Sequence, residues 1–364
     1  MATIYDVAKR AGVSPKTVSR VLNGDAPVSK DTRESVIAAI EALGYVPSHA
    51  ARSMKSHRSN LIGLITGAIS SADEVARPAG LPELFIVQSA QAVIETSGKT
   101  LLISDTGGRV DRVPSLVRTF QEHRVEGLLY VAEFHKPVEA HLPVNGLPTV
   151  LVNCFDERGT PAVLPDDEGG QYALTRAVVD AGHRKIAYLT LAPAMEATRL
   201  RMKGYRAALE EAGIAFDPSL VHPTDLFGTP GEHQLVWDAI DVLLDRPDRP
   251  TAICCGNDRL AMSVYGILRK RGVAVPEEMS VVGFDDHRLI SEGLYPPLTT
   301  AALPYNAMGA RAAQTLLDRL ANPDMAVAPD PIRISGQVQH RESLVAPQPH
   351  NQDNVIDLTG RTER

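Results

Sequence analysis

Cysteine is scarce in this chain: Cys154, Cys254 and Cys255 are the only three in 364 residues. Three thiols make neither an even disulfide framework nor the CxxC spacing of a metal site, and the adjacent pair reads as small buried residues at a strand end. No apolar run approaches the roughly 20 residues that span a bilayer. Nor does a charged, apolar, then small-residue leader precede the first amphipathic stretch, so the chain is expected to stay in the cytoplasm, with no membrane partner. The GxxxxGK phosphate loop, HExxH, the GxSxG elbow and a GxGxxG after a strand are all missing, and the eleven histidines are scattered without metal spacing. No metal, cofactor or catalytic residue is therefore expected. Positive charge is also short overall, the net being −7. It is unevenly spread, because nine basic against five acidic side chains give residues 1–60 a charge of +4 and leave −11 for the rest. A basic end on an acidic body favours phosphate at one end and repels it elsewhere.

That basic end is patterned. Ile4, Val7, Ala8 and Ala11 fall at i, i+3, i+4 and i+7, an apolar helical stripe with Asp6, Lys9 and Arg10 facing water. Gly12 supplies a turn, Ser14 an N-cap and Pro15 a first helical residue whose missing N–H costs nothing. In the second helix Val18, Val21 and Leu22 turn inward. Lys16, Thr17, Ser19, Arg20 and Asn23 form an outward polar ridge of the length a major groove admits. A third helix is expected from Ser29, with an apolar row of Val36, Ile40 and Leu43 and a stop at Gly44. This is the arrangement of a helix-turn-helix that reads double-stranded DNA. A generic helical hairpin with solvated cations is the alternative, and the charge imbalance weighs against it. Residues 48–60 are Ala-rich but too short to be helical alone. Ala50 and Ala51 offer a small face to a symmetry mate, Met54 an apolar wedge for the minor groove, and Arg52, Lys55 and Arg58 phosphate contacts. A plain linker is the other reading of this segment.

From residue 61 short β-branched or Leu-rich runs alternate with amphipathic stretches, which predicts helices flanking a largely parallel sheet. Strands are expected at 61–66, 100–104, 127–131, 149–153, 162–164, 185–191, 251–255 and 280–284. Helices are expected at 84–97, 111–123, 168–181, 196–212, 231–244, 258–271 and 304–321. Ligands of such sheets bind beyond the carboxyl ends of the strands. Asp285 follows a strand and can accept two hydroxyl hydrogen bonds, while Arg199 offers a planar fork of donors. Asn153 and Asn257 can each donate and accept. Asn257 or Asp258 is equally a helix cap, and Asp285 or Asp286 equally a loop anchor.

Residues 3 to about 60 resemble the headpiece and hinge of the lactose/galactose repressor (LacI/GalR) family of bacterial transcription regulators. The resemblance runs on to about residue 344 through Ala181-Gly182-His183-Arg184-Lys185, Arg199-Leu200-Arg201-Met202-Lys203-Gly204-Tyr205, Gly256-Asn257-Asp258-Arg259, Ser280-Val281-Val282-Gly283-Phe284-Asp285-Asp286, Pro297-Leu298-Thr299-Thr300 and Arg341-Glu342-Ser343. It implies an all-α helix-turn-helix headpiece (1–47), a hinge (48–60) and an α/β periplasmic-binding-protein-like core (61–344). The core comprises two doubly wound subdomains, 61–160 with 291–322 and 161–290 with 323–344. It implies that Pro15, Lys16 and Arg20 lie near bases, with Lys16 foremost for specificity. Tyr5, Ser14, Thr17, Ser19 and Asn23 would contact the DNA backbone, and Ala51 and Met54 would act in the hinge, Met54 where relatives usually carry Leu. For the small-molecule effector, a sugar or related metabolite, it supports Asp285 and Arg199 first, then Asn153, Asn257 and Tyr305. Leu226, Val131 and Leu303 stand where many members offer an aromatic or amide contact, so a less polar effector is expected. Phe134, Phe155, Phe227 and Tyr305 are candidate stacking surfaces.

The implied mechanism is a homodimer on a pseudo-palindromic operator, with effector closure of the cleft changing hinge spacing and hence operator affinity. The rival classes are a sugar-modifying enzyme with an appended DNA module and a transport-type binding protein. The segment 345–364 is polar and Pro-bearing, lacks a heptad seam, and is expected to be a disordered tail.

Overall fold

The computed structural model describes residues 2–24, 27–46, 59–67, 82–138, 142, 146–224, 232–324 and 330–348. Two compact units are distinguished, residues 1–61 with 124–126, and residues 62–123 with 127–364. Ala51 and Met54 of the hinge, Leu226 and Phe227, and residues 349–364 lie outside the described residues.

The first unit holds α1 (Ile4–Ala11), α2 (Pro15–Asn23) and α3 (Lys30–Leu43). Each helix starts on a hydroxyl: the side chains of Thr3, Ser14 and Ser29 accept the N–H groups of Asp6, Thr17 and Thr32. Each stops on a glycine, Gly12, Gly24 and Gly44 having φ of 66°, 71° and 56°, a region that costs other residues. Asp6 completes a capping box by accepting the Thr3 N–H at 2.8 Å and hydroxyl at 2.7 Å, and these donors hold its carboxyl below the usual range. Val7, Ala8, Val18, Val21, Val36 and Ala39 fill the centre of the bundle, as the helical phase required.

The second unit runs β1 (Leu61–Thr66), α4 (Pro82–Thr96), β2 (Thr100–Asp105), α5 (Val113–Glu122), β3 (Gly127–Pro137), β4 (Thr149–Phe155) and β5 (Ala162–Pro165). It continues through α6 (Asp167–Asp180), β6 (Ile186–Thr190), α7 (Glu196–Glu211), β7 (Val221–Pro223), α8 (Glu232–Leu244), β8 (Ala252–Cys255), α9 (Asp258–Lys270) and β9 (Ser280–Asp285). Then come α10 (Arg288–Ser291), β10 (Thr299–Ala302), α11 (Tyr305–Ala321), β11 (Ile332–Ile334) and β12 (Val338–Gln339). Two six-stranded sheets result, with orders β2-β1-β3-β4-β5-β11 and β7-β6-β8-β9-β10-β12. β12 runs antiparallel to β10, whereas β1–β3, β3–β4, β6–β8 and β8–β9 are parallel. Strand order reverses at β1/β3 in one sheet and at β6/β8 in the other, the crevice where open α/β sheets take ligands.

The boundaries drawn from sequence need correction at three short strands. β5, beyond the division at residue 160, pairs with β4 in the first sheet. β10, inside 291–322, pairs with β9 in the second. β11, inside 323–344, pairs with β5 in the first. The chain therefore passes between sheets after β5, β10 and β11. Strands of three or four residues carry too little side-chain alternation to reveal which edge they join. Val345, expected in the tail, is bonded to the second lobe. The Val345 carbonyl accepts from His183 Nε2 at 2.8 Å, and its N–H donates to Ser280 Oγ at 3.2 Å.

Both lobes close a helix pair through a glycine. A Cβ on Gly204 of α7 would overlap the Glu168 carbonyl of α6, and one on Gly309 of α11 would overlap the Ile86 carbonyl of α4. Backbone approaches backbone at each point, which fixes the spacing of the layers over the sheets.

Candidate nucleic-acid interface and ligand site

On the first unit, α2 divides cleanly by burial. Val18 is fully buried, whereas Lys16 and Arg20 are exposed and make no side-chain hydrogen bond or ion pair among the described residues. Tyr5 on α1 is 71% exposed, an unusual setting for a large aromatic, and Lys9 and Arg10 are exposed beside it in sequence. Ser14 caps α2 by accepting the Thr17 N–H at 3.2 Å, with its hydroxyl 3.0 Å from that of Thr17. Pro15 takes the first helical position, Ser19 is half-buried, and Asn23 ends the helix. The arrangement offers free cations and an aromatic hydroxyl on a rigid support, which is what phosphate and base-edge contacts require.

In the second unit the candidate residues lie on different elements: Asn153 within β4, Asn257 before α9, Asp285 at the end of β9 and Tyr305 at the start of α11. Asp285 ends β9 with φ 119° and is followed by Asp286 at φ 52°. Asp286 anchors its loop, accepting Ser291 Oγ at 3.0 Å and Arg341 Nη2 at 2.8 Å. Asp258 is buried behind it and accepts Thr300 Oγ1 at 2.6 Å and the His287 N–H at 2.7 Å. Burial and the nearby Asp286 charge nevertheless push the Asp258 carboxyl up to about 7. Asn257 caps α9, its side-chain oxygen accepting the Leu260 N–H at 2.7 Å. Asn153 is buried at φ 59° and donates Nδ2 to the Ala132 carbonyl at 3.2 Å. Tyr305, the first residue of α11, packs half-buried against the core of the first lobe.

Arg199 is turned to solvent. Its side chain is 64% exposed and its fork is spent on Glu196, at 3.0 and 2.5 Å. Arg201, two residues on, is the buried arginine of the helix. It donates Nε to Asp167 Oδ1 at 2.7 Å and Nη1 to the Gly256 carbonyl at 2.6 Å, and lies 3.6 Å over the Phe284 ring. Burial opposes its charge, but Asp167 and then Asp285 outweigh burial and hold its pKa above the ordinary value. Helical phase carries the signal that sequence reasoning missed: Ala197, Thr198, Arg201, Gly204, Tyr205 and Ala208 form the buried stripe of α7, and Arg199 lies off it. His135 and Asp167 were missed as well, and nothing in their local pattern marks them.

Of the candidate aromatics, Phe134 carries the Lys136 ammonium 4.6 Å above its ring and Phe155 meets His135 edge-on at 5.7 Å. Val131 and Leu303 belong to the two cores, and Trp237 packs on α8 under Lys270 and Arg271. A small crevice of about 30 Å³ at the ends of β1 and β3 is lined by Gly67, Thr106, Tyr130, Glu133 and Lys136. Another of about 320 Å³ lies between α6 and α7, lined by Asp166, Tyr172, Gly204 and Arg333. Among the described residues no cluster of His, Cys, Asp and Glu is suited to a metal ion, and no helix is long and apolar enough to cross a membrane.

A three-helix headpiece presenting free cations, followed by two switch-point sheets, defines a DNA-binding transcriptional regulator with an effector-binding core. Comparison with known proteins agrees. Residues 3–48 match the bacterial regulatory proteins of the lacI family, and residues 175–344 match the periplasmic binding protein-like domain. The ribose operon repressor of Haemophilus influenzae is 33% identical over 328 residues, covering 89% of this chain and 93% of that protein. The HTH-type transcriptional repressor PurR of Vibrio atlanticus is 31% identical over 330 residues, covering 89% and 93%. The crystal structure of the lac repressor dimer bound to operator and the anti-inducer ONPF superposes with a TM-score of 0.74 at 26% identity, covering 95% and 99%. The chain belongs to the lacI family of bacterial regulatory proteins.

Proposed function

We propose that this chain is a cytoplasmic, homodimeric repressor without catalytic activity. It binds a pseudo-palindromic operator and is controlled by a small molecule held where the strands of its two lobes end. The observation that carries the DNA reading is that Lys16 and Arg20, on a helix capped at both ends, are exposed and unpaired among the described residues. In this reading Pro15, Lys16 and Arg20 approach bases, while Tyr5, Ser14, Thr17, Ser19 and Asn23 hold phosphates and Ala51 and Met54 enter the central minor groove. The headpiece spans 1–47, the hinge 48–60 and the core the residues that follow, with lobes divided after β5, β10 and β11.

The effector is a sugar or sugar derivative contacted by Asp285, Asn257, Asn153 and Tyr305, with Arg201 in place of Arg199. The dipole of Asn257 has its oxygen committed to α9, which leaves its amide N–H groups for a hydroxyl. Met262, Leu289 and Tyr295, exposed to 46%, 87% and 84%, supply apolar area for a second copy. The lac repressor dimer bound to operator and an anti-inducer supports this combination of dimer, DNA and small ligand.

The test is retention of promoter fragments from the gene's own neighbourhood in a gel-shift assay at moderate salt. Thermal-shift screening of sugars, phosphosugars and nucleobases follows, with release of the fragment by any hit. Failure to retain every such fragment even at low ionic strength overturns the reading.

A further inference from the structure

The β3–β4 ladder breaks where the two lobes meet. Val131 pairs with Val152 and Lys136 with Cys154, so four residues of β3 face the single residue Asn153. Such a bulge re-aims the side chains it carries. Asn153, in its left-handed conformation, supports the bulge by donating to the Ala132 carbonyl at 3.2 Å. At the far end of the bulge His135 is buried, and its Nδ1–H donates to Asp167 Oδ2 at 2.8 Å. Burial acts against the Asp167 charge, yet Arg201 and His135 hold its carboxyl below the usual range, so it accepts from both. Its other oxygen receives Arg201 Nε at 2.7 Å.

We infer that His135 and Asp167 are positioning residues for ligand binding: they lock the Arg201 guanidinium, on a helix of the second lobe, to a strand bulge of the first. The inference rests on Arg201 being an effector contact. Arg201 has Nε and Nη1 committed to Asp167 and Gly256, and its plane fixed on Phe284. Nη2 makes no hydrogen bond among the described residues and is the donor left for a ligand. A guanidinium held on three sides presents that donor in one orientation, which lowers the ordering cost of binding. Because the lock begins in one lobe and ends in the other, lobe spacing and donor orientation change together. That gives the ligand differential contact with two arrangements of the core, which linkage requires.

Three variants of the full chain test this: His135→Leu removes the donor, His135→Asn restores an N–H at the Nδ1 position, and Asp167→Asn removes the charge. Phenylglyoxal labelling of Arg201, followed by peptide mass spectrometry, reports how firmly the guanidinium is held without any ligand. The expected result is slow labelling in the wild type and in His135→Asn, and labelling faster by about tenfold or more in His135→Leu and Asp167→Asn, with melting cooperativity and fragment retention kept. Equal protection in all four proteins overturns the inference, and so does fast labelling in His135→Asn. If His135→Leu does not fold, Asp167→Asn set against His135→Asn decides by the same criterion. D-Ribose, the probe for fragment release, separates the two readings. Faster labelling with a weakened D-ribose response supports both. Faster labelling with wild-type D-ribose sensitivity keeps the lock on the guanidinium but removes Arg201 from the effector site, and with it the role in ligand binding.

Discussion

Ser14 and Lys16 stand two residues apart at the start of α2 and do different work. Ser14 spends its hydroxyl on the Thr17 N–H, so Ser14→Ala should cost about 1 kcal/mol of headpiece stability. Hydrogen exchange of the α2 amides checks this, with the core amides unchanged. Lys16 and Arg20 make no side-chain hydrogen bond or ion pair among the described residues. Lys16→Ala should leave the melting curve in place and relax base preference in a selection from random duplexes. Arg20→Ala should weaken fragment retention by about 1–3 kcal/mol. The same distinction shows what single residues reveal in sequence. Caps and turn glycines are set by local backbone needs, so Ser14, Pro15 and Gly12 were legible. The choice between Arg199 and Arg201 depends on which side of α7 meets a neighbour, and only helical phase, followed over four turns, decides it.

At the scale of elements, the glycine contacts make the sharpest prediction. Gly204→Ala places a methyl group against the Glu168 carbonyl and has to spread α6 from α7, an overpacking cost of about 1–3 kcal/mol, read as a lower urea midpoint. Gly309→Ala should do the same to α4 and α11, whereas Gly266→Ala, which meets nothing within 4 Å, should not. The long helices and buried strands were readable because amphipathic period and apolar runs are dictated by the layers they face. β7, β10, β11 and β12 were not: each spans four residues or fewer and owes its existence to an edge supplied by distant chain. The extension of β3 past residue 131 was hidden for a related reason, since a bulge interrupts the alternation that marks a strand.

For the whole molecule, sensing and DNA binding occupy different units. Asp285→Ala is expected to retain DNA fragments like the wild type but to answer an effector weakly, measured as release in the same gel-shift assay. The pH response belongs to this scale too. Folded, Asp258 holds its proton up to about 7, while the unperturbed carboxyl releases it near 3.8. Between those values the native state binds more protons than the unfolded one, so this group lowers stability as pH rises through the window, and the loss is complete above it. The difference in melting temperature between Asp258→Asn and wild type should therefore move in the variant's favour from about pH 5 to about pH 8. The three passages of the chain between sheets have a consequence for biosynthesis. Met308, Ala312 and Leu316 of α11 cover Leu129, Val150 and Val152, and β11 closes that sheet's edge. A ribosome must deliver residue 334 before the earlier lobe can seal, so a nascent chain carries that oily surface through most of its translation and has to be shielded until the last turns arrive.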